Sequence, residues 1–189
     1  MAIRCSSPLD PALIPTLKAG DAVLLSGVVY TARDAAHARL ARALEAGEPL
    51  PVALEGQTIF YAGPTPTPPG KVSGAIGPTT SVRMDAFTPA LLSLGLLAII
   101  GKGDRGEAVR KAIVENGAVY FTAPAGCAAV LSACVESVEV VAYEDLGTES
   151  IKRLTVTDLP LVVAMDSQGN DIYTLGPKDY LSGSWASAV

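Results

Sequence analysis

The amino-acid sequence predicts an α/β fold in which parallel βαβ units form a mixed sheet beside a second, small β layer. Its second half alternates apolar, strand-like runs with helix-like runs, and such helices must bury an apolar stripe against a sheet. Apolar residues make up 49% of the 189 residues and charged residues 17%, enough for one core without disulfide or metal support. We therefore expect residues 1–189 to form a single domain.

The first half is expected to supply the small β layer and one long helix. "DAVLLSGVVY" (21–30) is apolar and rich in valine, as a buried strand should be, and it leads into the helix-like "TARDAAHARLARALEAG" (31–47). "QTIFYAG" (57–63) is another strand candidate. The proline-rich "PTPTPPG" (64–70) then breaks regular structure, and "KVSGAIGPTT" (71–80) is expected to be a short strand with its loop.

The second half is more regular, and its alternation predicts parallel strands joined by right-handed crossovers. In order, we expect a strand in "LLAIIG" (96–101), a helix in "RGEAVRKAIVENG" (105–117), a strand in "AVYFTA" (118–123), a helix in "GCAAVLSACVES" (126–137) and a strand in "VEVVAYED" (138–145). Three further strands are expected in "IKRLTVTDLP" (151–160), "LVVAMD" (161–166) and "DIYTL" (171–175), the last two as a hairpin across "SQGN".

Charge and hydropathy narrow the classes of partner. The net charge is −5, from 19 acidic and 14 basic residues without a basic cluster, which argues against nucleic-acid binding. No window reaches about 18 uninterrupted apolar residues, and the N-terminal stretch lacks the apolar segment of a signal peptide. We expect a cytoplasmic protein without a membrane span, and the apolar excess makes a protein partner worth considering.

The three cysteines are a poor set of metal ligands. Cys127 and Cys134 lie seven residues apart in one helix-like run, Cys5 is remote in the chain, and no CxxC spacing occurs. An iron–sulfur cluster needs thiolates that converge on one site. We therefore expect buried free thiols and no metal site on this chain.

A candidate anion site lies in "GPTTSVRMD" (77–85). Gly77 and Pro78 end a predicted strand, Thr79 or Thr80 can cap a helical turn, and Arg83 stands about one turn later. A capping hydroxyl, free backbone N–H groups and an arginine fork suit a carboxylate or phosphate. For this segment alone, a helix cap beside a surface arginine explains the pattern equally well.

Two other strand ends carry cationic groups. Lys102 and Asp104 of "GKGDRG" follow a predicted parallel strand, where α/β sheets bind ligands, and are candidates for a proton-handling pair or a solvated turn. Arg33, after the first strand, can clamp a carboxylate, whereas His37 and Asp34 are interpreted as ordinary helix residues. A small di-acid would explain all three segments. The chain lacks a Ser-His-Asp set, a dinucleotide fingerprint and a histidine-rich metal site, so it carries half an active site at best.

Four collinear motifs resemble one known family. They are similar to the β subunit, or C-terminal domain, of the class I iron–sulfur-dependent fumarate hydratases and L-tartrate dehydratases. The motifs are "SGVVYTARDAAH" (26–37), "GPTTSVRMD" (77–85), "GKGDRG" (101–106) and "VVAYEDLG" (140–147). The resemblance implies a swivelling β/β/α domain. It also implies a separate α subunit whose cysteines hold a [4Fe-4S] cluster, which this chain does not hold.

The resemblance also implies roles for individual residues. Thr79 would be the base at the reacting carbon, Lys102 would bind or polarise the substrate, and Asp104 would orient Lys102. The choice of Thr79 over Thr80 as the base comes from the resemblance and not from the chemistry. The implied substrate-binding residues are Arg33, Arg83, Thr80 and Gly77.

The expected function is therefore that of a hydro-lyase subunit that hydrates fumarate reversibly to (S)-malate with an α subunit. Dehydration of L-tartrate or a related hydroxy di-acid is the alternative within the family. A non-catalytic organic-acid-binding assembly module is an alternative of another class, and a structural scaffold is a third. We expect a hetero-oligomer, and the sequence leaves open whether the isolated chain forms a homodimer.

Overall fold

A computed structural model describes residues 1–182 of the chain. Its strands are β1 (Ile3–Ser7), β2 (Ala22–Thr31), β3 (Thr58–Phe60), β4 (Ala98–Gly101), β5 (Val119–Thr122), β6 (Val135–Ala142) and β7 (Ile151–Met165). Its α-helices are α1 (Asp34–Glu45), α2 (Thr88–Ser93), α3 (Glu107–Glu115), α4 (Ala128–Ala133) and α5 (Ile172–Ser182). Short 3-10 helices occupy Ile14–Thr16, Ser81–Met84 and Glu144–Glu149.

The described strands form one mixed seven-stranded sheet in the order β1-β2-β3-β4-β5-β7-β6. Strands β1 to β5 pair in parallel along this order, and β7 runs antiparallel to β2, β5 and β6. Because β7 pairs with both β5 and β2, the pairings close a circuit of five strands. The expected α/β class with a mixed sheet is confirmed.

The central parallel strands are buried on both faces. Ile59, Ile99 and Tyr120 of β3, β4 and β5 pack in the same cluster as the apolar side chains of α1 and α3. Their neighbours Phe60 and Ile100 point to the opposite face and pack in a second cluster with residues of β1, β2 and β7. This arrangement leaves the carboxyl ends of the parallel strands at one edge of the sheet.

Two predictions in the middle of the chain need correction: one predicted strand forms but pairs antiparallel, and another predicted strand does not form. "VEVVAYED" lies within and beyond β6, which pairs antiparallel with β7, because β7 takes the place beside β5. The helix predicted at 126–137 is correspondingly limited to α4. "KVSGAIGPTT" forms only isolated bridges, at Pro78 with Ala62 and at Thr80 with Lys102. Pro78 has no N–H group with which to extend a ladder.

The C-terminal prediction is also wrong in two respects. The two predicted strands at 151–166 are one continuous strand, β7, in which Asp158 adopts a left-handed conformation with φ 51°. The predicted strand "DIYTL" begins α5 instead. The helix starts here because Asp171 accepts two hydrogen bonds from the first turn. Its carboxylate accepts from the Tyr173 nitrogen and its carbonyl accepts from the Leu175 nitrogen, both at 2.9 Å.

Two further expectations concern exposure. Cys5 is buried, as predicted, whereas Cys127 is exposed and Cys134 is partly exposed, because α4 is short and buries only Leu131. In the described part of the chain, no helix is long and apolar enough to cross a membrane. The cytoplasmic location stays a prediction.

Candidate active site

Three segments that carry predicted site residues meet at the carboxyl edge of the parallel strands. Arg33 follows the end of β2 by two residues, and Lys102 follows β4 directly. The segment between Thr79 and Ser81 crosses the ends of β3 and β4. Its Thr79 nitrogen donates to the Tyr61 carbonyl at 2.7 Å, and its Ser81 nitrogen donates to the Lys102 carbonyl at 3.0 Å. Three strand ends that are far apart in sequence are therefore neighbours here.

Arg83, Thr79 and Arg33 are linked by direct contacts. The Arg83 guanidinium group donates a hydrogen bond to the Thr79 hydroxyl and lies 3.1 Å from a carboxylate oxygen of Asp34. The same Asp34 oxygen lies 3.4 Å from Nε of Arg33. The Arg33 and Arg83 side chains are 26% and 45% exposed, so both remain open to a ligand. Asp34, interpreted from the sequence as a helix residue only, connects the two arginines.

Arg33 has a second acidic neighbour that sequence reasoning missed. One Glu149 oxygen lies 3.4 Å from Nε of Arg33, and the other accepts a hydrogen bond from the Ala35 nitrogen at 2.8 Å. The loop that carries Glu149 is held by Lys152, whose ammonium group donates to the Gly147 carbonyl at 2.7 Å. Glu149 lies two residues beyond the motif "VVAYEDLG", and this closeness was the sequence feature that could have identified it as a site residue.

Lys102 lies at the next strand end, against Thr80 and Ser81. Its backbone nitrogen donates to the Ser81 hydroxyl at 3.0 Å, whereas its ammonium group has no hydrogen-bond or ion-pair partner among residues 1–182. Lys102 and Thr80, which form an isolated parallel bridge, line a cavity of about 450 Å³. Tyr173 stabilises the turn that contains Lys102, because its hydroxyl accepts a hydrogen bond from the Gly103 nitrogen at 3.1 Å.

Two predicted site residues make other contacts. The Asp104 carboxylate pairs with Arg110 and accepts from the Arg105 nitrogen at 2.7 Å, and within the described residues it makes no bond to Lys102. The expected orienting role of Asp104 therefore has no supporting contact. Gly77 lies against α4, where an added Cβ would stand 3.2 Å from Cβ of Ala128.

His37 supports the site from within the core. Its side chain is fully buried, and burial lowers the pKa of the imidazole to about 4, so the ring is neutral near pH 7. Nδ1 lies 3.0 Å from the Arg33 carbonyl, and a neutral ring in this geometry donates its Nδ1–H there. The ring also meets that of Tyr61 edge-on, with centroids 5.0 Å apart. His37 thus fixes the Arg33 backbone instead of contacting a ligand.

A buried ion pair lies beneath the site and was missed from the sequence. The Arg105 side chain is 0% exposed, and its Nε donates to Asp85 at 2.7 Å. Its guanidinium carbon stands 5.4 Å from the ring centre of Tyr61 and 5.0 Å from that of Tyr120. Burial raises the pKa of both tyrosines, which therefore stay neutral beside the arginine. Both charged residues lie inside recognised motifs, "GKGDRG" and "GPTTSVRMD".

The described residues do not fit a metal centre. Among residues 1–182, no three His, Cys, Asp or Glu side chains lie close enough together to hold a metal ion. The edge of the sheet instead presents two guanidinium groups, one ammonium group and hydroxyl groups. Such donors suit a small molecule with two carboxylates.

Comparisons with known proteins identify the family of the chain. Residues 3–176 match the family described as Fumarase C-terminus. The chain is 41% identical over 166 residues to the putative L(+)-tartrate dehydratase subunit beta of Methanocaldococcus jannaschii, covering 85% of each chain. It is 39% identical over 151 residues to the anaerobic class I fumarate hydratase of Escherichia coli, and 40% identical over 151 residues to the mitochondrial fumarate hydratase 1 of Leishmania major.

The coverage differs between these relatives. The two fumarate hydratase alignments include 79% of this chain but only 28% of those proteins, so the chain spans little more than a quarter of their length. A match over residues 3–176, together with a relative of similar length, nevertheless defines the family. The chain belongs to the Fumarase C-terminus family.

Proposed function

We propose that this chain is the β subunit of a hydro-lyase that reversibly adds water to fumarate to give (S)-malate. The observation that carries the proposal is the contact chain from Thr79 through Arg83 and Asp34 to Arg33, at the same sheet edge as the free Lys102 ammonium group. The names of the relatives, hydratases and a dehydratase, favour catalysis over a non-catalytic binding module.

The cationic groups match a dianionic substrate. Arg33 and Arg83 each present a planar fork that can bind a carboxylate through two parallel hydrogen bonds. Removal of a proton from carbon next to a carboxylate builds negative charge on that carboxylate, and a cation aimed there stabilises the charge. Lys102, which has no partner within residues 1–182, is available for this role.

Thr79 is the proposed base. A threonine hydroxyl is a weak base that works only beside a cation or a proton relay. The sequence suggested Lys102 as that neighbour, whereas the group in contact is Arg83, which donates to the Thr79 oxygen. A guanidinium donor stabilises the alkoxide that forms when this hydroxyl gives up its own proton, and that alkoxide can take a proton from carbon. Thr80 and Gly77 remain proposed substrate contacts at the same turn.

A partner must supply the electrophile in this proposal. The described residues offer no metal-ligand cluster. We propose that an α subunit holds a [4Fe-4S] cluster that would act as a Lewis acid on the departing hydroxyl group. One relative is named as a subunit beta, which supports assembly with another chain. The closed circuit of strands supports a swivelling β/β/α arrangement, and we propose a single domain over residues 1–189.

An L-tartrate dehydratase is the second candidate substrate class. The relative that matches over 85% of both chains has the name putative L(+)-tartrate dehydratase subunit beta. Tartrate carries one more hydroxyl group than malate, and hydroxyl donors at this edge, such as Thr80, can bind it. The two candidates share the carboxylate-binding arginines and differ in what surrounds the middle carbons.

The test is reconstitution with the α subunit under anaerobic conditions. Hydration of fumarate removes its double bond, so loss of ultraviolet absorbance reports turnover, and malate and tartrate are assayed in the reverse sense. We expect turnover of at least one di-acid, with the ratio of kcat/KM values naming the substrate. Absence of turnover with all three would refute the proposal. Tight di-acid binding by the isolated chain, measured by calorimetry, would favour the binding module instead.

A further inference from the structure

The buried ion pair between Arg105 and Asp85 joins two segments of the proposed site. The Arg105 guanidinium donates from Nε to one oxygen of Asp85 at 2.7 Å and from its second terminal nitrogen to the Thr88 hydroxyl at 2.8 Å. The other Asp85 oxygen accepts from the Gly106 nitrogen at 2.6 Å. Asp85 therefore binds both the side chain and the backbone of the glycine-rich turn that contains Lys102.

The two segments are also joined at their other end. The Ser81 nitrogen donates to the Lys102 carbonyl, and the Lys102 nitrogen donates to the Ser81 hydroxyl, each at 3.0 Å. The segment with Thr79 and Arg83 is thus clamped twice against the turn with Lys102. One clamp is the Ser81 pair, and the other is the Arg105–Asp85 pair.

The ion pair is a poor choice if stability is its only role. Arg105 is fully removed from water and Asp85 largely so, which is costly, and apolar residues of similar volume often replace such a pair without loss. One terminal nitrogen of Arg105 is buried without a hydrogen-bond partner in the described structure, which adds to the cost. The pair instead orients the two segments, because the planar guanidinium group of Arg105 fixes the angle and the separation between them.

We propose that Arg105 is a positioning residue for the hydro-lyase reaction. It acts through Asp85 and Thr88 and holds Lys102 at a fixed place relative to Thr79 and Arg83. Arg105 itself does not touch the substrate, because its side chain is 0% exposed. This inference rests on the proposed function.

Arginine is required for this role by its shape as well as its charge. Two nitrogen atoms of the same planar group bind Asp85 and Thr88, and the guanidinium carbon lies over the rings of Tyr61 and Tyr120. A lysine at this position keeps the positive charge but has a single ammonium group without the fork. Arg105→Lys therefore separates positioning from charge.

The kinetic test uses the reconstituted complex and a variant that is expected to stay folded. Arg105→Lys is expected to lower kcat by about 100-fold, because a small displacement of catalytic groups has effects of that size. KM is expected to change by less than about threefold, since Arg33 and Arg83 remain in place to bind carboxylates. Arg4→Met is the control, because Arg4 forms an exposed ion pair with Asp158 outside the site.

A double variant separates positioning from stability. Arg105→Met with Asp85→Leu replaces the buried pair by apolar side chains and is expected to recover the stability that either single change loses, while kcat stays low. Recovery of both stability and kcat would overturn the proposal, because the pair would then be structural only. A kcat of Arg105→Lys within about twofold of wild type would also overturn it.

Hydrogen exchange in the full chain tests the clamp without any turnover. The amides of Ser81 and Lys102 are expected to exchange about tenfold faster in Arg105→Lys, while that of Ile100 in the core of β4 stays protected. Unchanged exchange at Ser81 and Lys102 would overturn the clamp alone. Failure of the wild-type complex to turn over any di-acid would instead overturn the proposed function and the catalytic part of this inference together.

Discussion

The hydroxyl oxygen of Ser81 lies 3.0 Å from the backbone nitrogen of Lys102. Ser81 is fully buried and also accepts a hydrogen bond from the Tyr120 hydroxyl at 3.0 Å. Ser81 and Lys102, which are 21 residues apart in sequence, are therefore joined through one small polar side chain. This contact sets where the Lys102 turn leaves β4.

Ser81→Ala is expected to lower both stability and turnover. Loss of the hydroxyl leaves the Lys102 N–H group without its acceptor, which costs about 1–3 kcal/mol. Denaturant titration and steady-state assay of the complex measure the two effects. Ser93→Ala is the control, because the Ser93 hydroxyl is exposed and only donates to the Ala90 carbonyl. Equal behaviour of the two variants would contradict this reading.

Gly101→Ala is expected to disturb the same contact sterically. A Cβ at Gly101 would stand 1.9 Å from the Ser81 hydroxyl oxygen, far inside contact distance. We expect a loss of about 1–3 kcal/mol in the free energy of unfolding, with reduced turnover. In Gly176→Ala the new methyl group has nothing within 4 Å, so stability should be retained. A stable and fully active Gly101→Ala complex would show that the close packing is unimportant.

Arg83→Lys is expected to reduce kcat/KM by about 100-fold, because the ammonium group cannot reach Thr79, Asp34 and a carboxylate together. The free energy of unfolding should change by less than about 1 kcal/mol, since the Arg83 side chain is 45% exposed. Steady-state kinetics and thermal melts give both quantities. The control is Arg39→Lys, which alters an exposed pair with Asp145. Comparable kinetics for both variants would show that Arg83 does not bind the substrate.

Lys102→Met is expected to abolish activity without unfolding the protein. The ammonium group has no partner within residues 1–182, so its removal should change stability by less than about 0.5 kcal/mol. Circular dichroism and the fumarate assay separate the two effects. Lys111→Met is matched to it, because Lys111 is 71% exposed and, within residues 1–182, pairs with Glu115 alone. Near-normal turnover of Lys102→Met would exclude Lys102 from catalysis.

His37 is expected to make the fold sensitive to mild acid. Its pKa is about 4 in the folded chain and about 6.5 when unfolded, so the unfolded state binds more protons between these values. Stability should therefore fall as pH falls, by about 2 kcal/mol between pH 7 and pH 5. Urea unfolding at several pH values measures the slope. In His37→Leu this slope should be largely lost, and an unchanged slope would assign it to other groups.

Local sequence patterns predicted part of the fold correctly for a physical reason. β2 with α1, and β4 with α3 and β5, each carry the periodicity of the element they form, and the connections between them are short. β6 and β7 were correctly predicted to contain strands, but the parallel pairing expected for β6 and the division of β7 into two strands were wrong. The predicted strand at 171–175 belongs to α5 instead. β7 inserts antiparallel between β5 and β6, and no window of sequence contains that choice.

The candidate site was likewise predicted in part from the sequence. Sequence patterns predicted which cationic and hydroxyl groups follow the strand ends, because parallel strands bring Arg33, the Thr79 turn and Lys102 to one edge. The contact partners became evident in the folded chain: Asp34 lies between two arginines, Arg110 pairs with Asp104, and Arg105 lies in the core. Side-chain contacts form between residues that the folded backbone brings within a few ångströms, and that proximity is a property of the whole sheet.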